Sequence, residues 1–190
     1  MEITQTNSQK PFWSTVLNFG FMIGIIYCIL IFCENEYFYD SPITFSVGKF
    51  IGYLIVLAML VFCALSLKKS NGGYITFKEL LKGLLVVILI LELFYLIFNI
   101  IYIKYISPEF FTRMKMSWNA YFVKHNVPQE NIQDAMKRFD EGGKVTFLNS
   151  IQSYGFSIVI DAIFAIIIAA IVKKKKPEFM EGEPEINTIG

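Results

Sequence analysis

One apolar run, from Gly83 to Ile106, constrains this chain more than any other feature, because an acidic residue stands near its middle. The run exceeds the ~20 apolar residues that a helix needs to cross the hydrocarbon of a membrane. A central acid costs about 2.5–3.5 kcal/mol on insertion scales, whereas each Leu, Ile, Phe or Val returns about 0.3–0.6 kcal/mol. The run therefore inserts as a helix despite Glu92, whose carboxyl is expected to face protein rather than lipid.

Local signals mark where this helix begins and ends. Gly72 and Gly73 predict a turn, and Thr76 with Glu79 three residues later matches a capping box at a helix N-terminus. Pro108 follows the apolar run and is expected to stop the helix, because the residue before a proline disfavours helical backbone.

The composition places the whole chain in the membrane class. Of its 190 residues 55% are hydrophobic and 17% charged, and the mean hydropathy is +0.52, values typical of a polytopic membrane protein. Three other apolar runs are long enough to span. We predict an all-α fold whose membrane domain, residues 13–172, contains four transmembrane helices at about 13–33, 49–67, 80–106 and 150–172.

The polar region between the third and fourth spans is predicted to be helical as well. Large apolar residues recur there at helical spacing, which indicates an amphipathic pair at about 109–126 and 128–141 lying on the membrane surface outside the cytoplasm. Aromatic residues at the ends of spans and on this surface are expected to act as interfacial anchors: Trp13, Phe111, Trp118 and Phe122.

Lysine asymmetry predicts the orientation. The loop between spans two and three and the end of span four are rich in lysine, whereas the first loop is acidic, so both termini are expected to be cytoplasmic. Residues 1–12 form a short polar tail, and residues 173–190 form a basic and then disordered one. The lysines that carry this prediction are Lys68, Lys69, Lys173, Lys174, Lys175 and Lys176.

Four segments carry a likeness to a known family. They are the stretch Gly72–Glu79 leading into Gly83, the stretch Tyr102–Phe110, the stretch Pro128–Ile132 with the following Ala135-Met136, and the stretch Ile166–Lys174. In these segments the chain resembles the bacterial four-span membrane proteins known only as domain of unknown function 4199. The resemblance implies a multi-pass protein of the bacterial cytoplasmic membrane. It also implies an accessory role, because such proteins are often encoded near membrane glycosyltransferases.

A second acidic residue, Asp161, lies in the fourth span at a depth similar to that of Glu92. The two are roughly 18 Å and 15 Å from the lysines at the same end of their helices. In each span polar residues at three- and four-residue steps continue from the acid toward the outer surface. We expect either a crevice in which the two acids share protons or hold a cation, or hydrogen bonds that join helices. The candidate polar cluster is Glu92, Asp161, Tyr95, Asn99, Ser157 and Tyr154.

The sequence offers no catalytic constellation. The single histidine, His125, has no acid or cysteine cluster near it, and the three cysteines lack the spacing of a metal site. No nucleophile elbow, phosphate loop or dinucleotide fingerprint is present. The net charge of +1 provides no field for nucleic acid. We expect neither an enzyme nor a bound cofactor.

Two functions remain open from the residues. The first is a non-enzymatic accessory or structural subunit of a membrane complex, related to envelope glycan or lipid, with a membrane-protein partner or a second copy of the chain beside it. The second is a small proton- or cation-coupled transporter that uses Glu92 and Asp161. Four spans without a repeat leave little room for alternating access, so the first is preferred at this point.

Overall fold

The computed structural model describes residues 9–142 and 147–175, with side chains at 12–140 and 154–175. The predictions made for residues 1–8, for Lys176 and for the tail after it lie outside the described residues. A one-turn π-helix, Tyr102–Ile106, continues α3. The α-helices are α1 (Gln9–Tyr37), α2 (Pro42–Ser70), α3 (Phe77–Ile101), α4 (Phe110–Lys124), α5 (Gln129–Gly142) and α6 (Phe147–Val172).

Four of these helices are long and apolar enough to cross a membrane: α1, α2, α3 with its π-helical turn, and α6. In the most apolar stretch of each, only 28–33% of the residues are buried inside the protein. The others expose large apolar side chains such as Phe50, Phe62 and Phe156, which water would not tolerate as a continuous surface but lipid does. The predicted fold class, a four-span all-α membrane protein with an additional helical pair between spans three and four, is confirmed.

The first two helices extend well beyond the predicted spans. Their connection comprises only residues 38–41, because α1 continues through Glu34 and Glu36 and α2 begins at Pro42. Ser41 caps α2 by accepting a hydrogen bond from the Thr44 amide at 3.1 Å. The predicted spans were ended at the first charged residues. A helix, however, does not stop where it leaves the hydrocarbon. Of residues 34–46, which were predicted to form an acidic loop, all except 38–41 are therefore helical.

Close backbone approach fixes the packing of α1 on α3. A Cβ atom built on Gly20 would lie 2.8 Å from the Ile90 side chain, and one built on Gly24 would lie 2.8 Å from the Phe94 ring. Neither glycine accommodates a larger residue unless the helices separate. The α3 helix also packs against α2 and α6, so it is the central helix of the bundle.

The turn before α3 forms as predicted. Gly72 and Gly73 have φ angles of +71° and +84°, a left-handed backbone that glycine adopts without strain. Thr76 and Glu79 form the capping box, in which the Thr76 hydroxyl accepts from the Glu79 amide at 3.3 Å and a Glu79 carboxylate oxygen accepts from the Thr76 amide at 3.0 Å.

Helix α4 packs on the end of the bundle with its apolar face. Phe110 and Met114 are buried there in a second core that is centred on Tyr102. The Trp118 indole donates a 3.1 Å hydrogen bond to the Tyr39 carbonyl, and its ring lies 4.8 Å from that of Phe139 on α5. Trp118 was predicted to anchor the chain in lipid, but its partners here are protein groups. An amphipathic pattern identifies an apolar face and does not identify what covers that face.

Candidate functional site

Glu92 and Asp161 are the two acids in the middle of the bundle. Both are buried, with 2% and 6% of their surfaces exposed. Their carboxyl groups, on α3 and α6, lie within hydrogen-bonding and electrostatic range of each other. Because neither helix contributes a cation at this depth, the two like charges are not balanced by a neighbouring Lys or Arg of the same helices.

The two carboxyl groups differ in their hydrogen bonds. The phenol of Tyr53 on α2 donates to Asp161 Oδ1 at 3.1 Å, so one Asp161 oxygen is satisfied as an acceptor. Glu92 Oε2 is buried and has no hydrogen-bond partner among the described residues. An unsatisfied buried oxygen costs about 1–3 kcal/mol. This oxygen is therefore the atom of the pair that lacks a hydrogen-bond donor among the described residues.

Three tyrosines surround the pair. Tyr27 on α1 packs against Tyr95 on α3 with ring centroids 5.8 Å apart, and both are within electrostatic range of Glu92 and of a third acid, Glu34. Tyr154 on α6 is half-buried and within range of Glu92. Tyrosine hydroxyls both donate and accept hydrogen bonds, so these three residues place further polar groups beside the acids.

Glu34 and Lys49 form an ion pair near the end of the bundle that carries α4. Lys49 Nζ lies 3.3 Å from Glu34 Oε2; the Glu34 side chain is 8% exposed and that of Lys49 47%. A Cβ atom at Gly52 would collide with Glu34 Oε1, so the carboxylate lies directly against the α2 backbone. The glycine leaves room here for a side chain rather than for another helix, and a larger residue at this position would displace the Glu34 carboxylate.

The half of the bundle interior toward α4 contains buried polar side chains among apolar ones, whereas the other half contains only apolar ones among the described residues. From Glu92 and Asp161 toward the α4 end, the interior side chains include Tyr27, Glu34 and Tyr154. Toward the end that carries the lysines, the buried core is entirely apolar among the described residues. The acids are therefore reached by polar groups from one end only. The apolar half is formed by residues that include Leu60, Cys63, Leu84, Val87, Ile88, Ala165, Ile168 and Ala169.

The two remaining residues of the predicted cluster lie apart from the hydrogen bonds of the acids. Asn99 and Ser157 are half-buried, and within the described chain no hydrogen bond joins either of them to the acids.

Among the predicted interfacial anchors, Trp13 lies at the lysine end with Lys82 Nζ 5.5 Å from its ring. Phe111 and Phe122 are half-buried on α4, where their neighbours include the rings of Phe110 and Trp118.

A separate polar network holds α4 to the bundle. Glu36 Oε1 accepts from the Tyr102 phenol at 2.6 Å and from Arg113 at 3.3 Å, and Arg113 also donates to the Ser107 hydroxyl at 2.7 Å. Burial lowers the pKa of the Arg113 guanidinium, but its hydrogen bond and charge interaction with Glu36 raise it, and the net direction is upward. Arg113 is thus a permanent cation in this network.

Within residues 9–142 and 147–175, no group of three His, Cys, Asp or Glu side chains is arranged to hold a metal ion. Two carboxyl groups and one donating phenol also provide far fewer oxygens than the 6–8 that Ca²⁺ takes.

The family model described as "Protein of unknown function (DUF4199)" matches residues 18–174. The chain belongs to this family. The match covers all four spans except the first turns of α1, and it includes Glu92, Asp161 and their neighbours. No match was found among curated proteins or solved structures. For this member of DUF4199, function must therefore be argued from its own geometry.

Four residues around the acids were not in the predicted cluster: Tyr27, Glu34, Lys49 and Tyr53. Glu34 had been assigned to a loop and Lys49 to the beginning of a span. The spacing of these residues did contain information. Glu34 follows Tyr27 by seven residues and Tyr53 follows Lys49 by four, so each pair lies on one helical face. Which face meets which helix is not encoded in such spacings.

Proposed function

We propose that this DUF4199 protein is a proton-coupled membrane protein in which Glu92 and Asp161 together hold one exchangeable proton. The observation that carries the proposal is the unpartnered, buried Glu92 Oε2 beside a second carboxyl group. Two carboxylates within hydrogen-bonding range of each other in a medium of low dielectric constant do not both ionise. A shared proton is then the simplest group that neutralises one of the charges.

The hydrogen bonds favour Glu92 as the carrier of the proton. Asp161 Oδ1 already accepts from Tyr53, whereas Glu92 Oε2 has no partner among the described residues. In this proposal the proton resides on Glu92 and satisfies that oxygen. The groups that face the pair are Tyr27 and Glu34 from α1, Tyr53 from α2, Tyr95 from α3 and Tyr154 from α6, with Lys49 balancing Glu34.

The asymmetry of the interior supports one-sided exchange. Polar side chains extend from the acids toward the α4–α5 end, whereas the apolar half separates them from the lysine end. The lysine asymmetry makes the α4–α5 end extracytoplasmic in this proposal. The proton enters and leaves on that side, and crossing the membrane requires a second conformation in which the apolar half opens.

Infrared spectroscopy of the reconstituted protein tests the proton site directly. A carboxyl group that stays protonated at neutral pH in a water-poor setting has its own C=O band, and we expect that band in the wild type and its loss in Glu92→Gln. Asp134→Asn, on the exposed surface of α5, is the matched control and keeps the band. The same spectrum in Glu92→Gln and the wild type would overturn the proposal.

Vesicles containing a pH-sensitive dye test the movement of the proton. With an imposed pH gradient and valinomycin, we expect the wild type to dissipate the gradient faster than empty vesicles, and Glu92→Gln and Asp161→Asn to do so no faster. If the infrared band is present while flux is absent, the proton site stands and the transport step fails.

An accessory subunit is the second candidate, favoured by the rigid attachment of α4 and α5. Trp118, Arg113 and the Lys115–Asp140 ion pair hold these helices over the bundle, and α5 presents charged residues such as Lys137 and Arg138 to the medium. In this function a partner docks on α5. Stoichiometric co-purification of one membrane protein, abolished by Lys137→Glu with Arg138→Glu but not by Glu92→Gln, would support it.

A further inference from the structure

The chain after α6 is folded back onto the turn that precedes α3. Ile75 and Lys174 form an antiparallel β-bridge with two main-chain hydrogen bonds, of 2.9 Å and 3.0 Å. The lysine side chains then lie over aromatic rings, with Lys173 Nζ 5.8 Å from the Phe77 centroid and Lys174 Nζ 5.1 Å from that of Tyr74. The bridge therefore brings the lysines that follow α6 beside those that flank the α2–α3 turn.

Together these residues form one basic surface at the end of the bundle, which we call the lysine collar. Its members are exposed or half-buried: Lys68, Lys69, Lys78, Lys82, Lys173, Lys174 and Lys175. None of them makes an ion pair with an acid of the described chain. Glu79 is the acid nearest to them in the sequence, and it accepts hydrogen bonds from Thr76 in the helix cap.

Insertion topology alone does not require this arrangement. The rule that places lysines on one side counts charges near the ends of spans and is indifferent to whether they are gathered by a tertiary contact. Gathering like charges within a Debye length of ~10 Å is unfavourable unless an anion neutralises them. The β-bridge brings them together without an ion pair to an acid of the described chain, so an anion supplied from elsewhere would lower their mutual repulsion.

We infer that the lysine collar binds the headgroups of anionic phospholipids. The collar lies at the ends of three helices that are long and apolar enough to cross a membrane, and four to eight lysines next to a span are sufficient to attract anionic lipid. The lysines are distributed over the end of α2, the start of α3 and the segment after α6, which suits several headgroups better than one soluble phosphate.

The full-length protein in neutral detergent is the material for the test. Phosphatidylglycerol and phosphatidylcholine with the same acyl chains are added, and bound lipids are counted by native mass spectrometry. We expect selective retention of phosphatidylglycerol, weakened about fivefold for each lysine removed in Lys173→Gln with Lys174→Gln. The β-bridge uses only main-chain atoms of Lys174, so these substitutions leave it in place.

Lys104→Gln with Lys124→Gln, which removes two exposed lysines at the opposite end, is the matched control and keeps the selectivity. Inorganic phosphate is expected not to displace the lipid, whereas raised salt does. Equal retention of the two lipids by the wild type, or equal losses in the collar and control variants, would overturn the inference.

The chain's own acids Glu178, Glu181, Glu183 and Glu185 follow the collar. Lipid selectivity confined to a variant that lacks residues 177–190 would identify that segment as the occupant and likewise overturn it.

Discussion

The phenol of Tyr53 donates a 3.1 Å hydrogen bond to Asp161 Oδ1 and thereby joins α2 to α6 at the middle of the bundle. The other carboxyl group of the pair, that of Glu92, has no comparable donor among the described residues. Asp161 therefore has a hydrogen-bond donor, whereas Glu92 Oε2 has none among the described residues. This inequality, more than the presence of two acids in a membrane, makes proton binding at Glu92 the better explanation of the site.

Removal of the Tyr53 hydroxyl is expected to destabilise the protein. Tyr53→Phe leaves Asp161 Oδ1 without its donor, and we expect a loss of about 1–2 kcal/mol in the free energy of unfolding. Denaturation with sodium dodecyl sulfate in mixed micelles measures it. Tyr37→Phe, at a tyrosine that is 71% exposed, is the control and should change nothing. Equal stability of the two variants would mean that the hydrogen bond contributes nothing.

A methyl group at position 52 is expected to displace Glu34. The added Cβ of Gly52→Ala would occupy the place of Glu34 Oε1, so the carboxylate must leave the α2 backbone and weaken its pair with Lys49. We expect a loss of about 1–3 kcal/mol. Gly155→Ala has nothing within 4 Å of its new Cβ and serves as the control. In a double-mutant cycle, Glu34→Ala should remove most of the cost; additive effects would contradict the contact.

Substitution of Glu92 by glutamine is expected to stabilise the protein at alkaline pH. The amide keeps its N–H donor toward Asp161 as the pH rises, whereas loss of the Glu92 proton leaves a buried oxygen unsatisfied at a cost of about 1–3 kcal/mol. Functional sites are often destabilised in this way. If Glu92 served only to join helices, the same substitution would leave stability unchanged or lower it. The unfolding measurement used for Tyr53→Phe distinguishes these outcomes.

Labelling of single cysteines is expected to map the two halves of the interior. With Cys28, Cys33 and Cys63 replaced by alanine, we expect Ser157→Cys to react with a small water-soluble thiol reagent and Ala165→Cys, in the apolar half, to remain unreactive. The physical reason is that water follows polar side chains into the bundle but does not enter a closely packed apolar core. Equal reactivity at the two positions would rule out one-sided access.

Loss of Arg113 is expected to loosen α4 without unfolding the spans. Arg113→Ala removes the donor to Glu36 and Ser107, and since these groups are partly exposed we expect only about 1 kcal/mol of global destabilisation. Trp118 fluorescence should shift toward that of a more exposed indole, and proteolysis between α4 and α5 should become faster. Arg113→Lys should restore part of the attachment, because one nitrogen, Arg113 Nη2, contacts both Glu36 and Ser107. Unchanged fluorescence would show that Trp118 alone holds α4.

Much of this protein follows from composition and local pattern. A run of apolar residues longer than the hydrocarbon is thick must span it, so the four helices of the bundle were predictable from length alone. The capping box at Thr76 and the Gly72-Gly73 turn involve residues that are close in sequence, and their geometry is determined locally. The burial of Glu92 and Asp161 follows as well, because hydrocarbon excludes charge.

The partners of those acids were decided only by the tertiary structure. Helical periodicity assigns Tyr53, Glu34 and Lys49 to faces of their own helices, but the rotation and neighbours of each helix depend on the packing of the whole bundle. The same holds for Trp118, whose pattern fits lipid and protein equally well and whose indole donates a hydrogen bond to the Tyr39 carbonyl while its ring stays partly exposed. Local free energies select helices and their ends, whereas contacts between residues distant in sequence exist only once the chain has folded, and the site is built from such contacts.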